Sequence, residues 1–207
     1  MREIFLVIVV LAALTTSQND APPDPFGGNT TAAFAGPLVE SWQTVRGELA
    51  GDHALLKACV DSTKATCAEA RTLWKIINDA KQEHDSLTVM RHVNRAINLS
   101  IVPFEPSEWL TALDAMNGAA DCKGYATAKY FALREAGIPG DRLRLVIVHQ
   151  RGHVENHMVT AVWNDGTWLI LDNGTLVLVP DTETRYTPLF VLDDDGVRRY
   201  IPAASTS

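Results

Sequence analysis

The spacing of apolar residues changes from helical to strand-like near residue 139, and this change constrains the fold more than any other feature. Before it, apolar side chains recur every three or four residues in several stretches. After it come the stretches LRLVIVHQ, TLVLVP and TPLFVLDDDGVRRYIP, which predict strands. Asp165-Gly166, inside HMVTAVWNDGTWLILDN, predicts a tight hairpin. Helices followed by strands indicate an α+β fold with an antiparallel sheet.

Four helices are predicted before the strands. They cover about residues 38–58, 66–80, 86–101 and 122–136. Ser86 is the predicted N-cap of the third helix, and the segment 102–120 predicts a loop with one helical turn. Gly137 suits the left-handed residue that ends the fourth helix, and Pro139 prevents its continuation. Cys122 therefore lies in the first turn of the fourth helix.

The N-terminal residues predict export of the protein. Residues 1–17 contain the apolar run IFLVIVVLAAL followed by small polar residues, which is typical of a secretory signal peptide. A retained N-terminal anchor is the alternative. Residues 18–37 are rich in proline, glycine and asparagine and predict a flexible leader. One domain is therefore expected over residues 38–202.

The charge of the chain bears on its partners. The formal net charge is −7, and the sequence has no cluster of Lys and Arg. Because phosphate backbones are bound by basic patches, no nucleic-acid partner is expected.

Three cysteines fit an exported protein. Cys59 and Cys67 lie close together between two predicted helices, and an oxidising compartment would let them form a disulfide. That pairing leaves Cys122 as an odd cysteine, which indicates a reactive thiol or an intermolecular partner. The alternative is an inert, buried cysteine that packs as a small apolar residue.

The Asp165-Gly166 hairpin selects a histidine and a carboxylate that lie together. If these two residues form the turn, His157 lies opposite Gly174 and diagonal to Asp172. If the turn is shifted by one residue, His157 faces Asp172 directly. Both registers put the imidazole and the carboxylate on one side of the sheet, whereas a three-residue turn would separate them.

Cys122, His157 and Asp172 together have the residue types of a thiol hydrolase. The positive end of a helix favours the thiolate of Cys122, which would attack a carbonyl carbon. His157 would take the thiol proton and later protonate the leaving amine, while Asp172 orients the ring. The backbone N–H of Cys122 is the expected oxyanion donor. For each residue alone, a purely structural role is the alternative.

Several motifs taken together resemble the bacterial transglutaminase-like cysteine peptidases. They are DCKGYATAKYFALREAGIP, LRLVIV, HMVTAVWNDGTWLILDN and TPLFVLDDDGVRRY, and the likeness extends over about residues 42–200. The resemblance implies a papain-like, transglutaminase-like core with the triad Cys122, His157 and Asp172. It also implies cleavage of peptide bonds in the bacterial periplasm. Biofilm adhesins of the cell surface are the implied substrates, and an inner-membrane receptor is the implied regulator.

One departure from the family pattern concerns calcium. Calcium-dependent members have acidic residues around the nucleophile, but this chain has Asp121-Cys122-Lys123-Gly124 there. Asp121 is the only retained candidate ligand, and a hard cation needs several oxygen ligands. We therefore expect no cofactor and no metal, with Lys123 supplying a positive charge in the calcium-stabilised region. The alternative is that Lys123 points to solvent.

Three other functions remain open from the sequence. The same triad serves acyl transfer to an amine instead of hydrolysis, so a transglutaminase is one alternative. The loss of acidic residues beside Cys122 leaves a non-catalytic binding module of the same fold as another. A structural or redox role for Cys122 is the third.

Overall fold

The computed structural model describes residues 21–62, 64, 67–105 and 108–202. The predicted signal peptide, residues 1–17, lies outside the described residues. The helices are α1 (Pro37–Cys59), α2 (Ala68–Lys81), α3 (Ser86–Ser100), α4 (Ala112–Met116) and α5 (Cys122–Glu135). The strands are β1 (Thr30–Ala33), β2 (Val102–Pro103), β3 (Ala119–Ala120), β4 (Leu143–Gln150), β5 (Asn156–Asn164), β6 (Thr167–Leu171), β7 (Val179–Pro180), β8 (Tyr186–Asp193) and β9 (Gly196–Tyr200).

The α+β fold class is confirmed. Among the described residues, seven strands form one antiparallel sheet in the order β1-β9-β8-β4-β5-β6-β7, and β2 pairs with β3 separately. The helices cover one face of the sheet. None of the helices in the described ranges is long and apolar enough to cross a membrane.

The β5–β6 hairpin has the register that its turn residues predict. Asn164 pairs with Thr167, and Asp165 and Gly166 both have positive φ, as a two-residue turn of this kind requires. The ladder continues to the pair Thr160 and Leu171. Because β6 ends there, Asp172 is the first residue beyond the strand.

Helix α5 is the centre of the molecule. It packs against α2, α3 and α4 on one side and against β4 and β5 on the other. Residues 124–133 are all buried, which explains why small residues are frequent there. Gly137, with φ 103°, ends the helix as expected.

Three boundary predictions differ from the structure. The side chain of Asp85, not of Ser86, caps α3 by accepting a hydrogen bond from the Thr88 N–H at 2.9 Å. The stretch TLVLVP forms only the two-residue strand β7, because the segment before it forms turns held by side chains of α3. The loop 102–120 contains β2 and β3 as well as α4.

The predicted flexible leader is wrong for residues 21–37. Strand β1 pairs with β9 from Thr30 to Ala33, so this segment forms the outer edge of the sheet. Asp24 is bonded to the Arg198 guanidinium at 2.7 Å, and the Pro23 carbonyl accepts a hydrogen bond from the Trp168 indole at 2.7 Å. Composition alone missed these contacts because their partners lie more than 140 residues away in the sequence.

Candidate active site

Cys122 begins α5, directly after a half-buried segment that contains strand β3. The N–H groups of Val102 and Phe104 donate to the carbonyls of Gly118 and Ala120 at 2.7 and 2.9 Å, and these bonds fix the chain just before the helix. The carboxylate of Asp121 caps the helix by accepting hydrogen bonds from the backbone N–H groups of Lys123 and Gly124, at 3.0 and 3.1 Å. Cys122 is a free, half-buried cysteine.

His157 and Asp172 meet at the end of the β5–β6 hairpin. His157 Nε2 lies 3.0 Å from Asp172 Oδ1, which is a hydrogen-bonding distance. His157 is fixed on β5 by pairing with Val148 of β4. The N–H of Gly174 donates to the same carboxylate oxygen at 2.8 Å, so the turn after β6 holds Asp172 in place. The structure thus brings His157 and Asp172 together as the hairpin register predicts.

The side chains of Asp172 and Cys122 both affect the pKa of the same imidazole. Burial alone would lower the pKa of His157, but the hydrogen bond to Asp172 and the contact with Cys122 raise this pKa to about 9. Burial also opposes ionisation of Asp172, but hydrogen bonds from His157 and Gly174 hold the pKa of its carboxyl well below the usual range. At neutral pH the imidazole is therefore protonated and the carboxylate is ionised.

The comparison with known proteins decides the family. The sequence pattern of the bacterial transglutaminase-like cysteine proteinases (BTLCP) matches residues 53–195. The chain belongs to this family. It is therefore a transglutaminase-like cysteine peptidase, and its substrate is a protein. No protein of curated function matches this chain significantly in sequence.

Solved structures agree with the family in fold. Calcium-bound LapG of Legionella pneumophila is 20% identical with a TM-score of 0.60, covering 75% of this chain and 92% of that chain. A second LapG structure is 19% identical with a TM-score of 0.61, covering 74% and 90%. EGTA-treated LapG gives the same identity and TM-score, covering 74% and 87%. At these identities the likeness establishes the shared fold.

Side chains that sequence reasoning missed hold Asp172 from several elements. The Tyr186 hydroxyl, at the start of β8, donates to the second carboxylate oxygen of Asp172. The amide of Asn98 on α3 donates to the Asp172 carbonyl at 2.8 Å. No sequence signal identifies Tyr186, because its position depends on the register of β8 against β4. Asn98 lies in a recognisable helix, but only the tertiary fold brings it to the loop after β6.

A cleft of about 670 Å³ lies in front of Cys122 and His157. Phe104 and Val154 form exposed apolar parts of its wall, and Glu105 adds an acidic group. The cleft is partly open to solvent. Cys122 of this BTLCP member therefore lines a cleft that solvent can enter.

The residues beside Cys122 do not fit a calcium ion. Lys123 Nζ forms an ion pair with Asp121, the one acidic residue retained from the calcium-dependent pattern. A side chain at Gly124 would clash, since its Cβ would lie 2.6 Å from the Cβ of Ala120. In the part of the chain that the structure describes, no three His, Cys, Asp or Glu side chains cluster as metal ligands would.

The two remaining cysteines are joined as expected from their spacing. Cys59 at the end of α1 and Cys67 just before α2 form a disulfide, with their Cα atoms 5.3 Å apart. The bond closes the connection between the first two helices. It lies away from the cleft, so it acts on the stability of the helical half.

Proposed function

We propose that this protein is an exported cysteine endopeptidase that hydrolyses protein substrates with Cys122, His157 and Asp172. The observation that carries the proposal is the hydrogen bond between His157 and Asp172, beside a free cysteine at the start of a helix. The open cleft in front of the thiol adds room for a polypeptide. These are the groups and the access that acyl-enzyme chemistry on a peptide bond requires.

The reaction follows from the proposed roles of the three residues. The thiolate of Cys122 attacks the scissile carbonyl carbon, and the oxyanion lies at the positive end of α5 near the backbone N–H of Cys122. The imidazolium of His157 gives its proton to the leaving amine, which departs and leaves a thioester. His157 then takes a proton from water, the hydroxide attacks the thioester, and the thiolate is released. Asp172 keeps the ring oriented throughout.

Alkylation and proteolysis together test the triad. We expect iodoacetamide to label Cys122 rapidly in the native protein and His157→Gln to slow this labelling, because the imidazolium stabilises the thiolate. Cleavage of an unfolded protein substrate is expected to disappear in Cys122→Ala. Slow labelling at the rate of an ordinary thiol, together with unchanged cleavage in Cys122→Ala, would contradict the triad.

The periplasm is the proposed compartment. The Cys59–Cys67 disulfide fits an oxidising environment, and the first 17 residues have the composition of an export signal. A surface adhesin is the proposed substrate, and an inner-membrane receptor is the proposed regulator, both from the family resemblance. Comparing the proteins shed from cells with wild-type protein and with Cys122→Ala tests the substrate. An identical set of shed proteins would contradict it.

Independence from calcium is also proposed for this member. The Lys123 ammonium already neutralises Asp121, and position 124 has no room for an acidic side chain. We expect EGTA to leave cleavage and the melting temperature unchanged. The variant Lys123→Met serves for comparison. Its melting temperature is expected to be slightly lower than that of the wild type, because Asp121 loses its ion-pair partner. Loss of activity in EGTA that calcium restores would contradict independence.

A further inference from the structure

A lysine is buried in the middle of α5, two helical turns after Cys122. The side chain of Lys129 is fully buried, and its Nζ donates to the Leu171 carbonyl at 3.5 Å. Leu171 is the last residue of β6 and precedes Asp172 directly. The ammonium thus approaches the backbone of the candidate triad from the helix side of the sheet.

The position is an unfavourable one for a lysine. Among the described residues, no carboxylate lies within ion-pairing distance of Lys129, and its single hydrogen bond is long. Burial lowers the pKa of Lys129 to about 7, and the nearby charge of Asp172 opposes this shift. A methionine of similar length would fill the same space without desolvating a charge. A role in packing alone therefore does not explain the residue.

The charges of the ionised triad indicate a different role. The thiolate, the imidazolium and the carboxylate add up to one net negative charge in a largely buried site. The side chains that α3 directs at this region, Asn94 and Asn98, are uncharged and donate to loop carbonyls. On β5 the titratable group nearby is His157 itself. On β4, Arg144 is held by acidic partners on the other face of the sheet.

We propose that Lys129 is a positioning residue whose ammonium balances the net negative charge of the ionised Cys122–His157–Asp172 group. It favours the thiolate–imidazolium pair over the neutral thiol and imidazole. It also holds the backbone at Leu171, from which Asp172 projects. Lys129 has this role only if the proposed triad is the catalytic one, so the inference rests on the proposed function.

The variant Lys129→Met tests the charge. Removing a nearby cation disfavours the thiolate, so the pH at which iodoacetamide labelling of Cys122 reaches half its plateau is expected to rise by roughly one unit. Leu133→Met is the matched control, since Leu133 is fully buried one turn further along α5. It is expected to leave the pH dependence of labelling unchanged.

A second measurement uses the native chain and does not depend on a variant. The titration of the Lys129 ammonium is followed by ¹⁵N NMR before and after Cys122 is blocked with iodoacetamide. Because coupling between two charges is reciprocal, removing the thiolate is expected to make Lys129 titrate at lower pH. Unchanged titration, or unchanged labelling in a folded Lys129→Met, would overturn the proposal for Lys129.

The two proposals fail in different ways. If Cys122→Ala keeps full proteolytic activity, the proposed function fails, and the role of Lys129 fails with it. If Cys122→Ala is inactive while Lys129→Met keeps the wild-type pH profile, only the role of Lys129 fails.

Discussion

Two groups of charged residues, each partly buried, lie on either side of the sheet, and they are built differently. The first lies on the face away from the helices and joins Arg144 and Arg198 to Asp24 and Asp193. Arg198 Nη2 lies 2.7 Å from a carboxylate oxygen of each aspartate, and Arg144 Nε lies 3.0 Å from Asp193. Two cations and two anions pair directly, and the guanidinium of Arg144 also stacks over Trp168. We call these four residues the arginine cluster.

The second group consists of the proposed triad with Lys129 behind it. Here one hydrogen bond of 3.0 Å joins His157 to Asp172, and the lysine lies close to them without an ion pair. Cys122 opens onto the cleft. In the arginine cluster both cations lie beside aspartates within the fold, whereas the second group places Cys122 and His157 at the cleft. The ion pairs of the arginine cluster therefore stabilise the fold, whereas the second group has side chains at the cleft that can take part in a reaction.

The largest expected effect is a loss of cleavage activity when residues of the second group are replaced. Cys122→Ala and His157→Gln are each expected to lower the rate of protein cleavage by roughly 1,000-fold or more, since the nucleophile and the proton donor act as a unit. Their melting temperatures are expected to stay near that of the wild type. Residual cleavage within tenfold of the wild-type rate would show that another group performs the reaction.

The next largest effect is on stability, from the arginine cluster. Arg198→Met leaves Asp24 and Asp193 with buried charges that have lost a partner, and we expect the free energy of unfolding to fall by about 3 kcal/mol. Chemical denaturation measures this change. Cleavage per folded molecule is expected to remain at the wild-type level. If Arg198→Met were as stable as the wild type but had lost cleavage activity, the arginine cluster would act on catalysis and not on stability, contrary to this expectation.

The two groups are also expected to differ in their response to pH. Proton donation to the leaving amine requires the imidazolium of His157, whose pKa is raised to about 9 from the ordinary value of 6.5. The protonated form therefore persists as pH rises through 6.5 and is lost as pH passes 9. Cleavage is expected to hold to about pH 9 and fall above it, whereas the stability difference between wild type and Arg198→Met stays constant over pH 6–9. A fall centred near pH 6.5 would contradict the raised pKa.

The smallest effect is expected at Tyr186. Tyr186→Phe removes one hydrogen bond to the Asp172 carboxylate but leaves those from His157 and Gly174. We expect cleavage to fall about tenfold, which corresponds to one hydrogen bond to a charged group. Tyr125→Phe serves as a control, because its hydroxyl donates to the Ile101 carbonyl instead. Equal losses in both variants would indicate a general effect on the fold.

Local patterns account for what the sequence predicts well. The helical period, the glycine after α5 and the Asp165-Gly166 turn act over a few residues, so the hairpin register and the meeting of His157 with Asp172 follow from them. Contacts between distant segments do not follow. Strand β1 was missed because its partner β9 lies about 170 residues further along the chain.

Lys129 shows a different limit of sequence reasoning. A lysine in a helix ordinarily indicates a face exposed to water, because a buried ammonium is costly. Helix α5 is covered on all sides, so the usual separation into an apolar and a polar face does not apply to it. The apolar and polar pattern of α5 therefore does not indicate that Lys129 is buried, although its side chain reaches the end of β6.

Strand β1 also covers one edge of β9. Residues 30–33 occupy the outer hydrogen-bonding edge of β9, which would otherwise present unpaired N–H and C=O groups to the surroundings. The extended edge of one molecule is a ready template for the edge of another, and such pairing leads to aggregation. Strand β1 thus covers β9 with a strand of only four residues, and proteolytic removal of the chain before residue 34 would expose the edge of β9.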